Sequence, residues 1–255
     1  MEASLVIVPL VAMGASLLTF ISGFGLGTLL LPVFAVFFPL EVAILLTAVV
    51  HLLNNLFKFG LLWKEVSWPV VLRFGIPGMA GAFLGARLMQ LLGTRSALFQ
   101  GVFQPVDPLD ITIAALMLVF GAIELSKRLN TRSFSPRFLP LGGIISGFFG
   151  GLSGHQGALR SMFLLRTGLA KQEFIATGIV IACLVDLTRL PVYLASDQVH
   201  HVLGQWPLLV TATLAAFAGA WFGKLLLPKV TLGAAQVAVG VLLIAIAGMI
   251  ASGVV

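Results

Sequence analysis

A glycine-broken apolar segment occurs twice in this chain, as Ile21-Ser22-Gly23-Phe24-Gly25-Leu26-Gly27 and as Ile145-Ser146-Gly147-Phe148-Phe149-Gly150-Gly151. Each copy interrupts a stretch that otherwise reads as membrane helix. In lipid a backbone leaves its helix only where protein or a watery cavity satisfies the freed amides and carbonyls, so such breaks mark a lined cavity. Two of them in matching halves of a chain point to a binding site near the bilayer midplane.

Composition supports the membrane reading. Of 255 residues 59% are hydrophobic and 9% charged, with a mean hydropathy of +1.11. A soluble domain carries about 25% charged residues, so this surface belongs in a bilayer. The formal net charge of +6 is spread over short loops instead of forming the stripe that nucleic acid requires, and no nucleic-acid partner is expected. Cys183, the single cysteine, lies in an apolar run and reads as a small buried hydrophobe. Met1-Glu2-Ala3-Ser4 lacks a basic leader, so the first apolar stretch is expected to stay in the mature protein.

Apolar stretches cover residues 5–20, 24–38, 42–62, 69–92, 109–125, 138–148, 152–165, 174–194, 202–227 and 232–255. A spanning helix needs about 20 residues, which those starting at 42, 69, 174, 202 and 232 provide and the one at 109 nearly does. The four pieces beside the glycine breaks are shorter. If each broken pair made one crossing, Lys58, Lys64, Arg73, Lys127, Arg128, Arg132, Arg137 and Arg189 would fall nearest one side. Arg87, Arg95, Arg160, Arg166, Lys171, Lys224 and Lys229 would fall nearest the other, with no bias. If each pair enters and returns, only Arg87, Arg95 and Arg189 stay outside, which is the asymmetry that membrane topology follows.

The expected fold is therefore an all-α polytopic membrane protein built of two inverted repeats, each a glycine-broken re-entrant helical hairpin plus three transmembrane helices. An odd number of crossings per half is what inverts the second half. Residues 1–126 form the first repeat, 127–137 a cytoplasmic connector and 138–255 the second, with the N- and C-termini outside, in the periplasm. Eight to ten full spans are the alternative under the same loop assignment. The repeat extends to Gly81-Ala82-Phe83-Leu84-Gly85, matched by Gly219-Ala220-Trp221-Phe222-Gly223, and loosely to residues 53–58 matched by 184–189. Glycines four apart let helix backbones approach closely, and these are expected to pack within each half.

A helix that starts in mid-membrane presents unpartnered amides at the positive end of its dipole, and such an end attracts anions. Gly25, Gly27 and Thr28, preceded by Ser22, begin the second arm of the first hairpin; Ser153, Gly154, His155, Gln156 and Gly157 begin that of the second. Together they form the expected anion cradle, the alternative being that the glycines only permit turns that Ser and Thr cap. His51, Asn54, Asn55 and Lys58 recur at helical spacing, as do Asp186 and Arg189, so each set can share a helix face. Asn54, Asn55, Arg160 and Arg189 are thus further candidate substrate ligands. Equally, Asp186 and Arg189 can form an i,i+3 pair, and Lys58 and Arg160 can reach the cytoplasmic interface.

His51, His155 and Asp186 are the proton candidates, because imidazole ordinarily titrates near neutrality; unwound carbonyls at the breaks could hold sodium instead. A neutral hydrogen-bonded core position is the other reading of His51. Asp197, His200 and His201 read as a solvated external loop, Glu41, Glu65 and Glu173 as helix-end markers, and Trp63, Trp68 and Trp206 as aromatic-belt anchors. There is no phosphate loop, no zinc spacing and no nucleophile elbow, since Gly151-Leu152-Ser153-Gly154-His155 lacks the closing glycine. Neither enzymatic chemistry nor a resident cofactor or metal is expected.

The duplicated glycine-rich breaks, the leucine-rich arm ending near Pro32, the polar helix after it and the Gly-Ala-x-x-Gly-Ala-x-Leu run at residues 81–88 resemble the TauE/SafE family of sulfite and organosulfonate exporters. The resemblance spans nearly the whole chain. It implies a permease moving sulfite, sulfoacetate or related sulfonates outward across a bacterial inner membrane. The family's glycine-rich breaks correspond to Gly23, Gly25 and Gly27 and to Gly147, Gly150, Gly151 and Gly154; Leu26, Thr28 and the Ser153–Gly157 run depart from consecutive glycines. The expected partners are a small anionic substrate and membrane lipids, and a homodimer is compatible with this organisation. Transport would be coupled to a proton or sodium gradient. An anion channel using the same site, uptake of another small carboxylate or sulfur anion, and a membrane scaffold are the competing functions.

Overall fold

The computed structural model describes residues 2–22, 25–126, 128, 132–195, 199–226 and 232–255. They fold into helices α1 (Glu2–Ser22), α2 (Gly27–Ala35), α3 (Leu40–Leu62), α4 (Trp68–Gly93), α5 (Pro108–Leu125), α6 (Leu139–Ser153), α7 (Gly157–Leu164), α8 (Lys171–Leu194), α9 (Val199–Leu203), α10 (Trp206–Leu226) and α11 (Leu232–Ala251). A short antiparallel pair, β1 (Phe99–Gln100) and β2 (Pro105–Val106), closes the loop after α4. Among the described residues six helices are long and apolar enough to cross a membrane: α1, α3, α4, α5, α8 and α10. The chain is an all-α polytopic membrane protein.

Local chemistry explains the helix boundaries. Asp107 accepts from the Asp110 amide at 2.9 Å while Asp110 accepts from the Asp107 amide at 2.9 Å, a reciprocal cap with Pro108 at the first helical position of α5. Glu173 starts α8 by accepting from the Ala170 amide at 2.9 Å. Pro77 offers no N–H to the Arg73 carbonyl, and α4 absorbs the defect as a π turn over Val71–Gly75. Trp63, Trp68 and Trp206 are exposed at helix ends, as belt residues should be.

The first hairpin is less even than expected. Helix continues through Ile21 and Ser22, so α1 has 21 residues and reaches about 31 Å, enough to cross a bilayer. Its return arm α2 has 9 residues, and the second break joins arms of 15 and 8 residues.

Burial separates a centre from a rim. The spans on α8 and α3 are 78% and 61% buried, while those on α1, α4, α5 and α10 are 39–44% buried. Leu72, Ile76, Phe83 and Leu84 of α4 and Leu214, Phe222 and Leu225 of α10 point outward, an apolar surface suited to lipid. The polar residues of interest ride on the two central helices.

Glycines bring the backbones together, although not where expected. A methyl built on Gly81 would lie 2.1 Å from the Ile144 carbonyl oxygen, and one on Gly85 would lie 2.0 Å from that of Phe148. From the α6 side, Gly143, Gly147 and Gly151 would meet the carbonyls of Phe74, Gly78 and Ala82 at 2.0–2.1 Å. Gly219 of α10 meets the Met13 carbonyl at 2.0 Å and Gly223 lies against Leu17 and Phe20 of α1. Both motifs therefore pack across the two halves of the sequence, α4 on α6 and α10 on α1, instead of within each half.

The contacts also sort the loops onto two faces. Lys224 Nζ donates to the Leu61 carbonyl, the Ser67 amide to Thr177 Oγ1, and the Phe134 amide to the Met162 carbonyl, gathering Lys64, Arg132, Arg137, Arg166, Lys171 and Lys224 on one face. On the other, Val102 and Phe103 donate to Ser252 and Gly253, which seats the C-terminal segment against the β1–β2 loop near Arg95. Asp197 and Lys229 lie outside the described residues, as does the His201 side chain; His200 is exposed.

Replacing Gly147 with alanine should drive α6 away from α4, because the added carbon meets backbone that cannot yield. Overpacking of this kind costs about 1–3 kcal/mol, so a lower melting temperature in detergent is expected. Gly60→Ala, where nothing lies within 4 Å, should leave the melting temperature unchanged.

Candidate functional site

The two glycine breaks meet. A carbon built on Gly25 would lie 3.9 Å from the Gly157 amide nitrogen and 3.6 Å from His51 Nε2, and one on Gly27 would lie 3.3 Å from the Gly154 carbonyl oxygen. The starts of α2 and α7 thus face each other with the His51 ring beside them. Neither start carries a side-chain cap, so the alternative in which Ser and Thr merely cap these turns is not what forms: the residues at the cap positions are Leu26 and Gln156. The Ser22 side chain lies outside the described residues. Thr28 is buried with its Oγ1 3.9 Å from the Gly25 carbon position.

The end of α6 is held by α8. Gly154 turns the chain at φ +83°, a conformation that suits glycine, and a carbon there would press within 3.1 Å of Arg189 Nη1. The Gly150 carbonyl accepts from the Gly154 amide at 2.9 Å and also from Arg189 Nη1 at 3.0 Å, while the Gly151 carbonyl, which the break leaves without a helical donor, accepts from the Tyr193 hydroxyl. Arg189 is in turn paired with Asp186, its Nε donating to Oδ1 at 2.9 Å and its Nη2 lying 2.8 Å from the same oxygen. The other carboxylate oxygen lies 2.5 Å from His51 Nδ1. Asp186, Arg189 and His51 are all buried to within 1% of full burial.

A small cavity of about 10 Å³ sits beside this network, walled by Thr19, Phe20, Gly25, His51, Asn55, Lys58, Arg160 and the apolar Ile175, Ile179 and Ala182. Among the described residues two basic side chains and no carboxylate line it. Lys58 is held by neutral groups, donating to the Ser16 carbonyl at 3.2 Å and Thr19 Oγ1 at 3.1 Å and lying over the Phe20 ring. At 3% exposure it does not reach the interface, as its position near the helix end had allowed. Arg160 is likewise buried, its Nε 3.2 Å from the Gly178 carbon position on α8.

The other sequence-derived candidates surround this cavity without lining it. Asn54 points to α1 and α10, where its amide donates to the Ala216 carbonyl at 3.1 Å and its oxygen accepts from Lys58 Nζ at 3.2 Å. Arg189 and Asp186 form the ion pair that their i,i+3 spacing allows. Ser153 Oγ donates to the Phe149 carbonyl at 3.1 Å and lies 3.0 Å from His155 Nδ1, and the His155 ring stacks on Phe120. Gln156 is fully buried against Gly150, and neither its amide atoms nor His155 Nε2 meets a hydrogen-bond partner among the described residues.

Tyr193, Thr19 and Ser146, whose Oγ donates to the Gln156 carbonyl at 3.1 Å, escaped the sequence reading. Tyr193 left a signal, since it stands four residues after Arg189 and seven after Asp186 on one helix face. A second, open cavity of about 380 Å³ enters from the face that carries Arg95, walled by Glu41, Arg87, Gln90, Thr94 and Tyr193.

No curated protein and no solved structure matches the chain. The family model described as sulfite exporter TauE/SafE matches residues 8–250, nearly the whole length. On that match, together with a membrane fold built around two helix breaks, the chain belongs to the sulfite exporter TauE/SafE family of transporters.

Proposed function

We propose that this protein is a secondary transporter that exports a small sulfur oxyanion, such as sulfite, sulfoacetate or another organosulfonate, across a bacterial inner membrane. The observation that carries the reading is the small cavity at the helix breaks, with Lys58 and Arg160 in its wall, Asn55 as an amide donor and, among the described residues, no carboxylate. Charge-assisted hydrogen bonds from buried cations are strong and suit an oxyanion, and the positive ends of α2 and α7 add to the same field.

A cavity of about 10 Å³ has room for about one water molecule. An oxyanion fits only when the surrounding helices part, which suits a carrier that opens to one side and then the other better than a channel with a continuous pore. Residues 1–126 and 138–255 are the two inverted repeats, linked by 127–137 and held together by the packing of α4 on α6 and of α10 on α1. The face bearing Lys64, Arg132, Arg137, Arg166, Lys171 and Lys224 is the cytoplasmic one by the excess of basic residues, which puts the chain termini in the periplasm. The coupled ion is a proton or sodium.

Sulfite or sulfoacetate should raise the melting temperature of the purified protein, with sulfate, thiosulfate, taurine and simple carboxylates as comparisons. Losing one charged donor costs about 1.5–3 kcal/mol, so Lys58→Gln and Arg160→Gln should each weaken anion affinity about 10- to 100-fold, whereas Arg166→Gln in an exposed loop should not. Equal stabilisation of the wild type and both cavity variants would sink the assignment. In proteoliposomes flux should saturate with anion concentration, and Gly154→Val should abolish it; unsaturable current would mark a channel instead.

A further inference from the structure

We infer that His51 takes up one proton at Nε2 with each anion that enters the cavity, so that transport is proton–anion symport. This rests on the cavity being the anion site. The Asp186 carboxylate can only accept a hydrogen bond, and its oxygen lies 2.5 Å from His51 Nδ1. Nδ1 therefore carries the hydrogen, and in the neutral ring Nε2 keeps a lone pair. That lone pair belongs to the edge of the ring nearest the first helix break, 3.6 Å from the Gly25 carbon position, on a residue that lines the cavity. Asn55 Nδ2 lies 3.2 Å from both Nδ1 and Nε2.

Oxyanion oxygens are acceptors too, so they and the Nε2 lone pair repel each other. A proton from water on the open side converts the lone pair into an N–H donor for the anion and leaves the Nδ1–Asp186 bond intact. The charges around His51 make the two events depend on each other. From α8 it faces Asp186 and Arg189, with Cys183 one turn earlier; from α7 Arg160; from its own helix Lys58. Thr19 on α1 and Gly25 and Thr28 at the start of α2 bring no charge, and His155 is turned away onto Phe120. An anion in the cavity offsets the positive charge that a proton adds to His51. By linkage, the factor by which the anion favours the proton equals the factor by which the proton favours the anion.

Sodium finds fewer ligands. The carbonyls of Gly150 and Gly151 accept from Arg189 and Tyr193, that of Gly25 from the Thr28 amide at 3.2 Å and that of Gly154 from the Gln156 amide at 3.0 Å. In export the proton moves outward against its own gradient, so it is coupled to the anion without driving it. A dianion that travels with one proton still carries one net negative charge, which an inside-negative membrane potential drives outward.

The test is calorimetric titration of the purified protein in two buffers of different ionisation enthalpy, at about pH 7. The probes are sulfoacetate, whose carboxylate and sulfonate are both ionised there, and sulfite with its own protonation subtracted. Wild-type protein should take up about one proton per anion bound, with affinity falling by up to about tenfold per unit rise in pH. His51→Gln should bind more weakly and take up none. Anion binding without proton uptake by the wild type, with or without a sodium requirement, overturns the proposal, as does unchanged uptake by His51→Gln. If that variant does not fold, the wild-type proton count decides. Failure of both anions to bind overturns the reading of the cavity, and this proposal falls with it.

Discussion

The arrangement around the helix breaks depends on the Asp186 carboxylate. When α6 stops at Gly154 in the interior of the molecule, its last carbonyls need donors that neither lipid nor helix supplies. Arg189 and Tyr193 provide them. A guanidinium buried that deeply needs a counter-charge, which Asp186 provides with one oxygen while the other holds His51. His51 in turn stands against the first break. One carboxylate thus connects the end of one broken helix to the start of the other. Removing it would leave a buried arginine and a histidine without their shared partner together, so these residues act as one unit, not as independent ligands.

The close packing of the rim helices has a different cause. Apolar side chains gain nothing by leaving lipid for one another, so association in a membrane relies on contact and on backbone approach. Gly143, Gly147 and Gly151 recur every fourth residue of α6 and lay its backbone directly on that of α4; Gly219 and Gly223 do the same for α10 on α1. Each pairing joins an arm of one break to a long helix from the other half of the chain. The breaks are consequently carried by helices clamped from outside, while α3 and α8 run through the centre with the charges.

Much of this was legible in the chain. The deficit of charge declared the membrane class, and the density of glycine and polar residues near 21–28 and 145–157 declared the breaks. What a helix's own spacing cannot encode is its rotation. Asn54 and Asn55 are adjacent, yet only Asn55 reaches the cavity, because packing of α3 against α1 and α10 turns Asn54 toward Ser16 and Ala216. The fate of Lys58 was hidden for a similar reason. Its long stem could equally have reached the interface, and what retains it is the Ser16 carbonyl and Thr19 on α1, residues that carry no motif. The glycine pairs announced a close approach but not the partner, since four-residue spacing states that a backbone can come near without saying which one. Helix α1 overran its expected arm because nothing before Gly23 opposes the helix.

Charge in the cavity and the shape of its wall answer different questions. Lys58 and Arg160 face a space that no carboxylate lines, and Asp186 is already engaged by Arg189 and His51, so the local field favours a negative guest over a cation or a neutral molecule. That field does not distinguish one oxyanion from another of equal charge. Discrimination must come from donors with fixed directions and from how far the wall can open. Asn55 supplies direction, and Gly27 and Gly154 sit where an added carbon would press on the Gly154 carbonyl oxygen and on Arg189. Ile175, Ile179 and Ala182 in the same wall have no side-chain hydrogen bond to offer, so the donors that fix direction are confined to the rest of the lining.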